Sequence, residues 1–391
     1  MLTIRLKKGC EKTIQKGFPW VFAGNLIASS EHLLAAPGRL AQLHSARDAF
    51  LGLGTFNAAA PIAFRMLSTK REPIDAQFFR RRLEAALKKR EAKFSEPYYR
   101  LAHAESDGLP GIILDRFGQV IVMQVSTAGM QRLLPGLLEA LESVVSPQTI
   151  ILRGDIPARE QEGLAREVKI LKGTPPEPAE VHENGCLYLA DLLRGQKTGW
   201  FYDQRDNRKL TAGYAPNKTV LDVYSHSGGF GLLTAKAGAA QVTLVDSSAI
   251  ALKLAKEAAA RNGVHERCVF LQGDAFDTMQ ALAREKRLYD VVIADPPAFV
   301  KAREHIVSGM KGYEKVARMA ATLTASGGVL VVASCSHHAT RTRFRQAVLG
   351  GIEQAGRSGE ILHFTGHAAD HPVHPHLPQS EYLKALFLRI A

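Results

Sequence analysis

From residue 218 onward the chain alternates short β-branched runs with longer helical stretches, and this alternation limits the possible folds more than any other feature. The runs Thr219–Val223, Gln241–Val245, Cys268–Leu271, Val291–Ala294 and Val329–Ala333 read as strands. Helical stretches such as Ala249–Asn262 lie between them. Strand and helix units in this order build an α/β fold, a doubly wound parallel sheet covered by helices. A final apolar run, Tyr382–Ile390, is expected to add an edge strand.

Ligands of such sheets bind beyond the carboxyl ends of the strands. Four strand ends here carry residues suited to a nucleoside cofactor. The run from Leu221 to Gly231 (LDVYSHSGGFG) takes a strand into a glycine turn that opens a helix. Asp222, Ser225 and Gly228 are its candidate cofactor residues, and glycine lets the backbone approach a ligand closely. The turn lacks the GxGxxG spacing of dinucleotide sites, which counts against NAD. Asp246 closes the next strand, where a carboxylate can accept two ribose hydroxyls. Asp274 follows the third strand and is placed for the adenine edge. Asp295, Pro296 and Pro297 follow the fourth, with the prolines stiffening the loop. Any one of these carboxylates reads equally well as a helix cap. Four at successive strand ends read as a site.

The first 172 residues have a different texture. Residues 1 to about 70 hold short apolar runs split by Gly, Pro and Asn, such as Phe18–Phe22 and Phe50–Gly54, and read as a small β-rich module. Residues 75–94 read as a helix with Phe79, Leu83, Leu87 and Phe94 on one face and Arg and Lys between them. Its cationic side fits an ordinary solvated face as well as an RNA contact. Residues 111–125 read as a hairpin around Phe117-Gly118, 131–144 as a helix and Ile150–Arg153 as a further strand. Gly173–Pro178 is the clearest linker. The expected division is 1–72, 73–175 and 176–391.

Lys and Arg number 50 against 38 Asp and Glu, a net charge of +12, which favours a polyanionic partner. Cys10, Cys186, Cys268 and Cys335 are far apart, which suggests neither a disulfide framework nor a zinc site, and fits a reducing compartment. No uninterrupted apolar stretch approaches the roughly 20 residues of a membrane span, so a cytoplasmic protein with no membrane partner is expected. A monomer and a homodimer both stay open. The histidines from His363 to His376 are irregularly spaced and broken by prolines, so a structured loop is expected there and no metal site.

Residues 180 to 391 resemble the class I methyltransferase domain, a Rossmann-like fold. The segment Gly199–Arg208 (GWFYDQRDNR) resembles the lead-in of the large-subunit ribosomal RNA cytosine-5 methyltransferases. So do Ser227-Gly228-Gly229-Phe230, the Asp-Pro-Pro loop, Ser334-Cys335-Ser336 and Ala369-Asp370-His371-Pro372. Residues 1 to 70 look like that family's PUA domain, an RNA-binding β-barrel. Residues 75–172 resemble its central α/β domain, including Asp107-Gly108-Leu109-Pro110-Gly111. The resemblance implies S-adenosyl-L-methionine as cofactor, with Gln204 and Arg205 of the lead-in joining the strand-end residues around it. It implies large-subunit ribosomal RNA as partner. Two positions depart from the family pattern: Ala298 stands where members usually have Lys after the prolines, and His226-Ser227 replaces Tyr-Thr in the glycine turn. The first puts any base or phosphate contact from position 298 in doubt.

Cytosine carbon 5 is too weak a nucleophile to take a methyl group from a sulfonium unaided. A thiolate added to carbon 6 makes carbon 5 enamine-like. Cys335, just beyond the strand Val329–Ala333, is the candidate nucleophile, with its flanking serines expected to hydrogen-bond the thiolate. A buried structural cysteine is the plain alternative, and it is the favoured reading for Cys10, Cys186 and Cys268. Asp295 is the candidate to protonate or hydrogen-bond cytosine N3. Transfer to an exocyclic amine or to guanine N7, and a binding-only assembly factor, are the competing functions.

Overall fold

The structure, a computed structural model, describes residues 1–391 apart from the side chain of Leu33. The chain forms two compact units. The first comprises Met1–Ala179, Asp191–Trp200 and Asp370–Ser380, and the second Glu180–Ala190, Phe201–Ala369 and Glu381–Ala391. Among the described residues, no helix is long and apolar enough to cross a membrane.

The first unit holds two five-stranded sheets. In the amino-terminal one, Leu2–Arg5, Arg39–His44, Phe50–Phe56, Ile62–Ser68 and Trp20–Phe22 lie side by side in that order, with Leu2–Arg5 parallel to its neighbour. It closes over Leu2, Ile4, Leu43, Phe56 and Phe64. In the second sheet the order is Val168–Lys172, Thr149–Arg153, Val120–Val125, Ile112–Phe117 and Tyr98–His103. The expected hairpin is present, with Phe117 opposite Val120. Sequence reading missed the two outer strands.

Helices Ala76–Glu91 and Ala128–Val145 pack into the same apolar cluster as the second sheet. Asp75 caps the first by accepting the Phe78 N–H at 3.0 Å. Phe79 and Leu83 are fully buried, as their spacing demands. Of the cationic residues on this helix, Arg80 and Arg81 pair at the surface with Glu84 and Glu72. Arg90 instead turns inward. It is 1 % exposed and grips Asp107 with two bonds of 3.0 and 2.6 Å. Gly38, at φ +78°, lies against the start of the second helix, and a Cβ there would sit 2.4 Å from Ala128 backbone.

Later parts of the chain complete this unit. Arg100 forms a bidentate pair with Asp115 at 2.8 Å, and Thr198 donates its hydroxyl to the same carboxylate at 2.6 Å. Asp370 accepts Arg90 Nη2 on its carbonyl at 3.0 Å and the Arg100 N–H on its carboxylate at 2.9 Å. These polar groups are all buried, so the pairs answer one another's desolvation.

The second unit contains a seven-stranded sheet, labelled here β1 Thr219–Val223, β2 Gln241–Asp246, β3 Cys268–Gln272, β4 Tyr289–Ala294, β5 Thr324–Ser334, β6 Gly359–Thr365 and β7 Lys384–Ile390. The spatial order is β3-β2-β1-β4-β5-β7-β6. The first five strands are parallel, while β7 runs antiparallel to both β5 and β6. The expected α/β doubly wound domain is therefore present. One expectation needs correction: Tyr382–Ile390 does not form the edge. β7 lies inside, and the edge is β6, whose sequence GEILHFT is largely solvent-facing and offers little apolar alternation to read. The order reverses at β1, between β2 and β4, so the crevice for a ligand opens at their carboxyl ends.

Candidate active site

The turn after β1 is backbone under strain. Tyr224, His226 and Gly228 all adopt positive φ, at 63°, 49° and 85°. For the two residues bearing side chains this costs about 1–2 kcal/mol each, and such strain tends to collect at ligand sites. Four bonds hold it. Ser225 N–H donates to Val245 O at 3.0 Å and Gly228 N–H to Ser225 O at 2.8 Å. His226 N–H donates to Asp246 and Gly231 N–H to Asp222, both at 2.8 Å. A Cβ at Gly228 would come within 2.7 Å of Leu232.

Asp222 therefore sits beneath the turn, 1 % exposed, and supports it from below. Burial, reinforced by the charges of Asp295 and Asp246, pushes its carboxyl up to about 8. The folded value lies above the unfolded one, about 3.9, so the folded chain holds the extra proton. Its stabilising effect is complete below about pH 3.9 and is lost as pH rises through 8. The melting temperature should fall by a few degrees between pH 5 and pH 9. In Asp222→Asn, which keeps an acceptor for Gly231, the fall should be smaller by Asp222's share. Equal slopes for both proteins in calorimetric scans would refute this assignment.

The other strand ends supply the rest. Asp246 is oriented by two N–H groups, His226 on one oxygen and Ser248 on the other, both at 2.8 Å. Each carboxylate oxygen keeps a further lone pair for a hydroxyl. Asp274 caps the helix Ala275–Arg284 with Oδ1, accepting Phe276 and Asp277 N–H at 2.8 and 3.2 Å. The cap leaves Oδ2 unused. Ser225 Oγ is buried with no hydrogen-bond partner, an acceptor and donor waiting for a ligand. A strained turn, an orphan hydroxyl and an oriented carboxylate fit the amino acid, ribose and adenine parts of S-adenosylmethionine.

On the other side of β1, Asp295 begins the loop after β4. Gln204 donates to Asp295 Oδ2 at 2.9 Å, Asn207 donates to Gln204 Oε1 at 2.6 Å, and Thr365 donates to Asn207 Oδ1 at 2.6 Å. This chain fixes the amide of Gln204 and, through it, the carboxylate. Arg205, 7 % exposed, lies over Tyr202 with its Nε 3.8 Å from Glu183. Sequence reading missed Asn207 and Thr365, although Asn207 follows Gln204 at helical i,i+3 spacing.

Cys335 is half-buried, one residue past β5. Ala294 pairs with Val332 in the parallel ladder, so Asp295-Pro296-Pro297 and Cys335 leave adjacent strands at the same end. The two loops are also stitched together. Ser336 Oγ accepts the Val300 N–H at 3.1 Å and meets the Tyr313 hydroxyl at 2.8 Å. Phe299 N–H donates to the same tyrosine at 3.4 Å. Both flanking hydroxyls are buried, with Ser334 accepting Ser336 N–H and Ser336 serving the stitch. Burial pushes the thiols of Cys186 and Cys268 up to about 11 and about 12, which makes them poor nucleophiles.

The histidine-rich stretch disperses. His363, on β6, meets Tyr214 at 2.9 Å, His367 accepts the Tyr382 N–H at 3.1 Å, and His371 pairs with Asp370 at 2.8 Å. Among the described residues, no group of three or more His, Cys, Asp or Glu is placed to hold a metal ion.

This fold and site define an S-adenosylmethionine-dependent methyltransferase, and the profile of the family described in those words matches residues 160–389. A second profile, of a PUA-like domain, matches residues 4–69. The chain belongs to the family of ribosomal RNA large subunit methyltransferase I. It is 33 % identical to the Aeromonas salmonicida protein of that name, over 99 % of this chain and 98 % of the relative. It is 34 % identical to the Shewanella denitrificans one, over 100 % and 99 %. A solved methyltransferase complexed with SAH superposes with a TM-score of 0.85 over the full length of both chains, at 22 % identity, a likeness of fold.

Proposed function

We propose that the protein methylates carbon 5 of a cytosine in large-subunit ribosomal RNA, through a transient bond between Cys335 and carbon 6. The relatives' names support the RNA class. The observation that carries the chemistry is the stitched pair of loops bearing Asp295 and Cys335 on adjacent strand ends. Bound S-adenosylmethionine supplies an electrophilic methyl group. Asp246 holds its ribose, Asp274 its adenine edge, and Ser225 with the Gly228 turn its amino acid portion, while Asp222 supports that turn. Gln204, Arg205, Asp295 and Pro296 complete the cofactor site, with Asp295 also facing the base. Cys335 thiolate adds to carbon 6, and Asp295 hydrogen-bonds or protonates N3 to draw the electron pair from the ring. Carbon 5, now enamine-like, would take the methyl group as that group's bond to the sulfonium breaks, with S-adenosylhomocysteine as the leaving group. Loss of the carbon 5 proton to a base then expels the thiolate, and N3 gives back any proton it took.

Transfer to an exocyclic amine would call for an aromatic ring directly after the prolines. Ala298 is there instead, and Phe299 packs on Tyr313 with ring centroids 4.9 Å apart. In this reading residues 1–72 form the RNA-binding module, 73–175 the central domain and 176–391 the catalytic one.

Ribosomal RNA from cells lacking the protein, methylated in vitro and digested to nucleosides, should yield 5-methylcytidine. N4-methylcytidine or 7-methylguanosine as the sole product would overturn the proposal. Asp246→Ala should weaken S-adenosylmethionine binding by about 1.5–3 kcal/mol, the worth of hydrogen bonds to a charged group. Calorimetry showing unchanged affinity would remove Asp246 from the cofactor site.

A further inference from the structure

Strand β7 carries two charges in an otherwise apolar run, LKALFLRI: Arg389, which faces solvent and pairs with Glu360, and Lys384, which is buried. In the antiparallel ladder it stands directly opposite Ser334, the residue before Cys335. The side chain is 3 % exposed. Burying an ammonium group is costly unless its protons are taken, and here two are: Nζ donates to the carbonyls of Ser336 and Ala339, both at 2.7 Å. Ser336 is the residue after Cys335, so one buried cation spans the turn that presents the thiol. Two carbonyls take two of three ammonium protons, and neither neutralises the charge.

We infer that Lys384 is the positioning and charge partner of Cys335: it fixes the turn that carries the thiol and stabilises the thiolate that forms there. The inference rests on the proposed role of Cys335. The thiol and the ammonium lie within electrostatic reach of each other, and burial pushes Lys384 down to about 8, which keeps it mostly charged at neutral pH. The other titratable groups facing the pair are Glu381, Arg341 and His367 toward the lysine, Tyr313 toward the cysteine, and His337 beside His367. An adjacent cation lowers a thiol's pKa and raises its reactive fraction at pH 7.

The test is the rate of Cys335 alkylation by iodoacetamide against pH, read by peptide mass spectrometry on the full-length protein without RNA. The wild-type midpoint should lie below that of an ordinary thiol, about 8.5. In Lys384→Met it should rise by about one pH unit, which is about a tenfold slower reaction at pH 7. Lys384→Arg, which keeps the charge, should stay nearer wild type. Calorimetry with S-adenosylmethionine checks that each variant folds. A wild-type midpoint at or above 8.5 overturns the inference whatever the variants do. So does a folded Lys384→Met with the wild-type midpoint, or a Lys384→Arg as slow as Lys384→Met. Because the assay contains no RNA, it fails separately from the proposed reaction, whose own failure would be methyl transfer by Cys335→Ala.

Discussion

Cys335→Ala should abolish methyl transfer while leaving S-adenosylmethionine affinity unchanged. In the proposed reaction the thiol is the nucleophile that adds to carbon 6 and is later expelled. Covalent catalysis lost in this way costs orders of magnitude in rate. RNA carrying 5-fluorocytosine at the target should trap the wild-type enzyme, because fluorine cannot leave carbon 5 as a proton does. The denaturation-resistant complex should form only with S-adenosylmethionine present. It should vanish in Cys335→Ala and persist when Cys186 or Cys268, whose thiols burial holds protonated, is replaced. An active Cys335→Ala enzyme would end the carbon 5 mechanism and return amine or guanine N7 transfer to the front.

A second large effect is expected far from the chemistry. Asp115 is fully buried between Arg100 and Thr198. Asp115→Ala strands the Arg100 guanidinium without its counter-charge, a change that typically costs 3–5 kcal/mol. Replacing both partners, Arg100→Met with Asp115→Leu, should recover much of that, since no buried charge is then left alone. Trp20 and Trp200 both belong to the first unit. Tryptophan emission during denaturant unfolding therefore follows that unit's transition. An Asp115→Ala midpoint corresponding to less than about 1 kcal/mol of loss would mean that water reaches Arg100 and the pair matters little.

The legible parts of the fold were those with strong periodicity. The five parallel strands and the helix Ala76–Glu91 announce themselves because their apolar residues repeat at spacings that only one element satisfies. The edge strand β6 did not, since one face is solvated and its apolar residues are interrupted by Glu360 and His363. Strand-end carboxylates were readable as a set, but their individual duties were not. Asp222 supports a turn from beneath and Asp274 also caps a helix, distinctions that depend on which way a carboxylate points. Thr365 and Lys384 escaped notice because each acts through a neighbour more than 40 residues away in sequence, whereas Asn207 acts on Gln204 only three residues away and its spacing could have shown it. The part Ser336 plays in joining the two loops went unread, because the tyrosine that engages it comes from an intervening helix, Ile306–Leu323.

The threading of the first unit bears on how the protein is made. A ribosome releases residues 1–179 long before it reaches Asp370, yet that residue supplies one acceptor of the Arg90 guanidinium and the acceptor of the Arg100 N–H. The amino-terminal part must wait, with those donors still served by water, until Asp370 has been translated. A message that stops after residue 369 would lose β7 and would also leave the oldest part of the nascent chain unfinished.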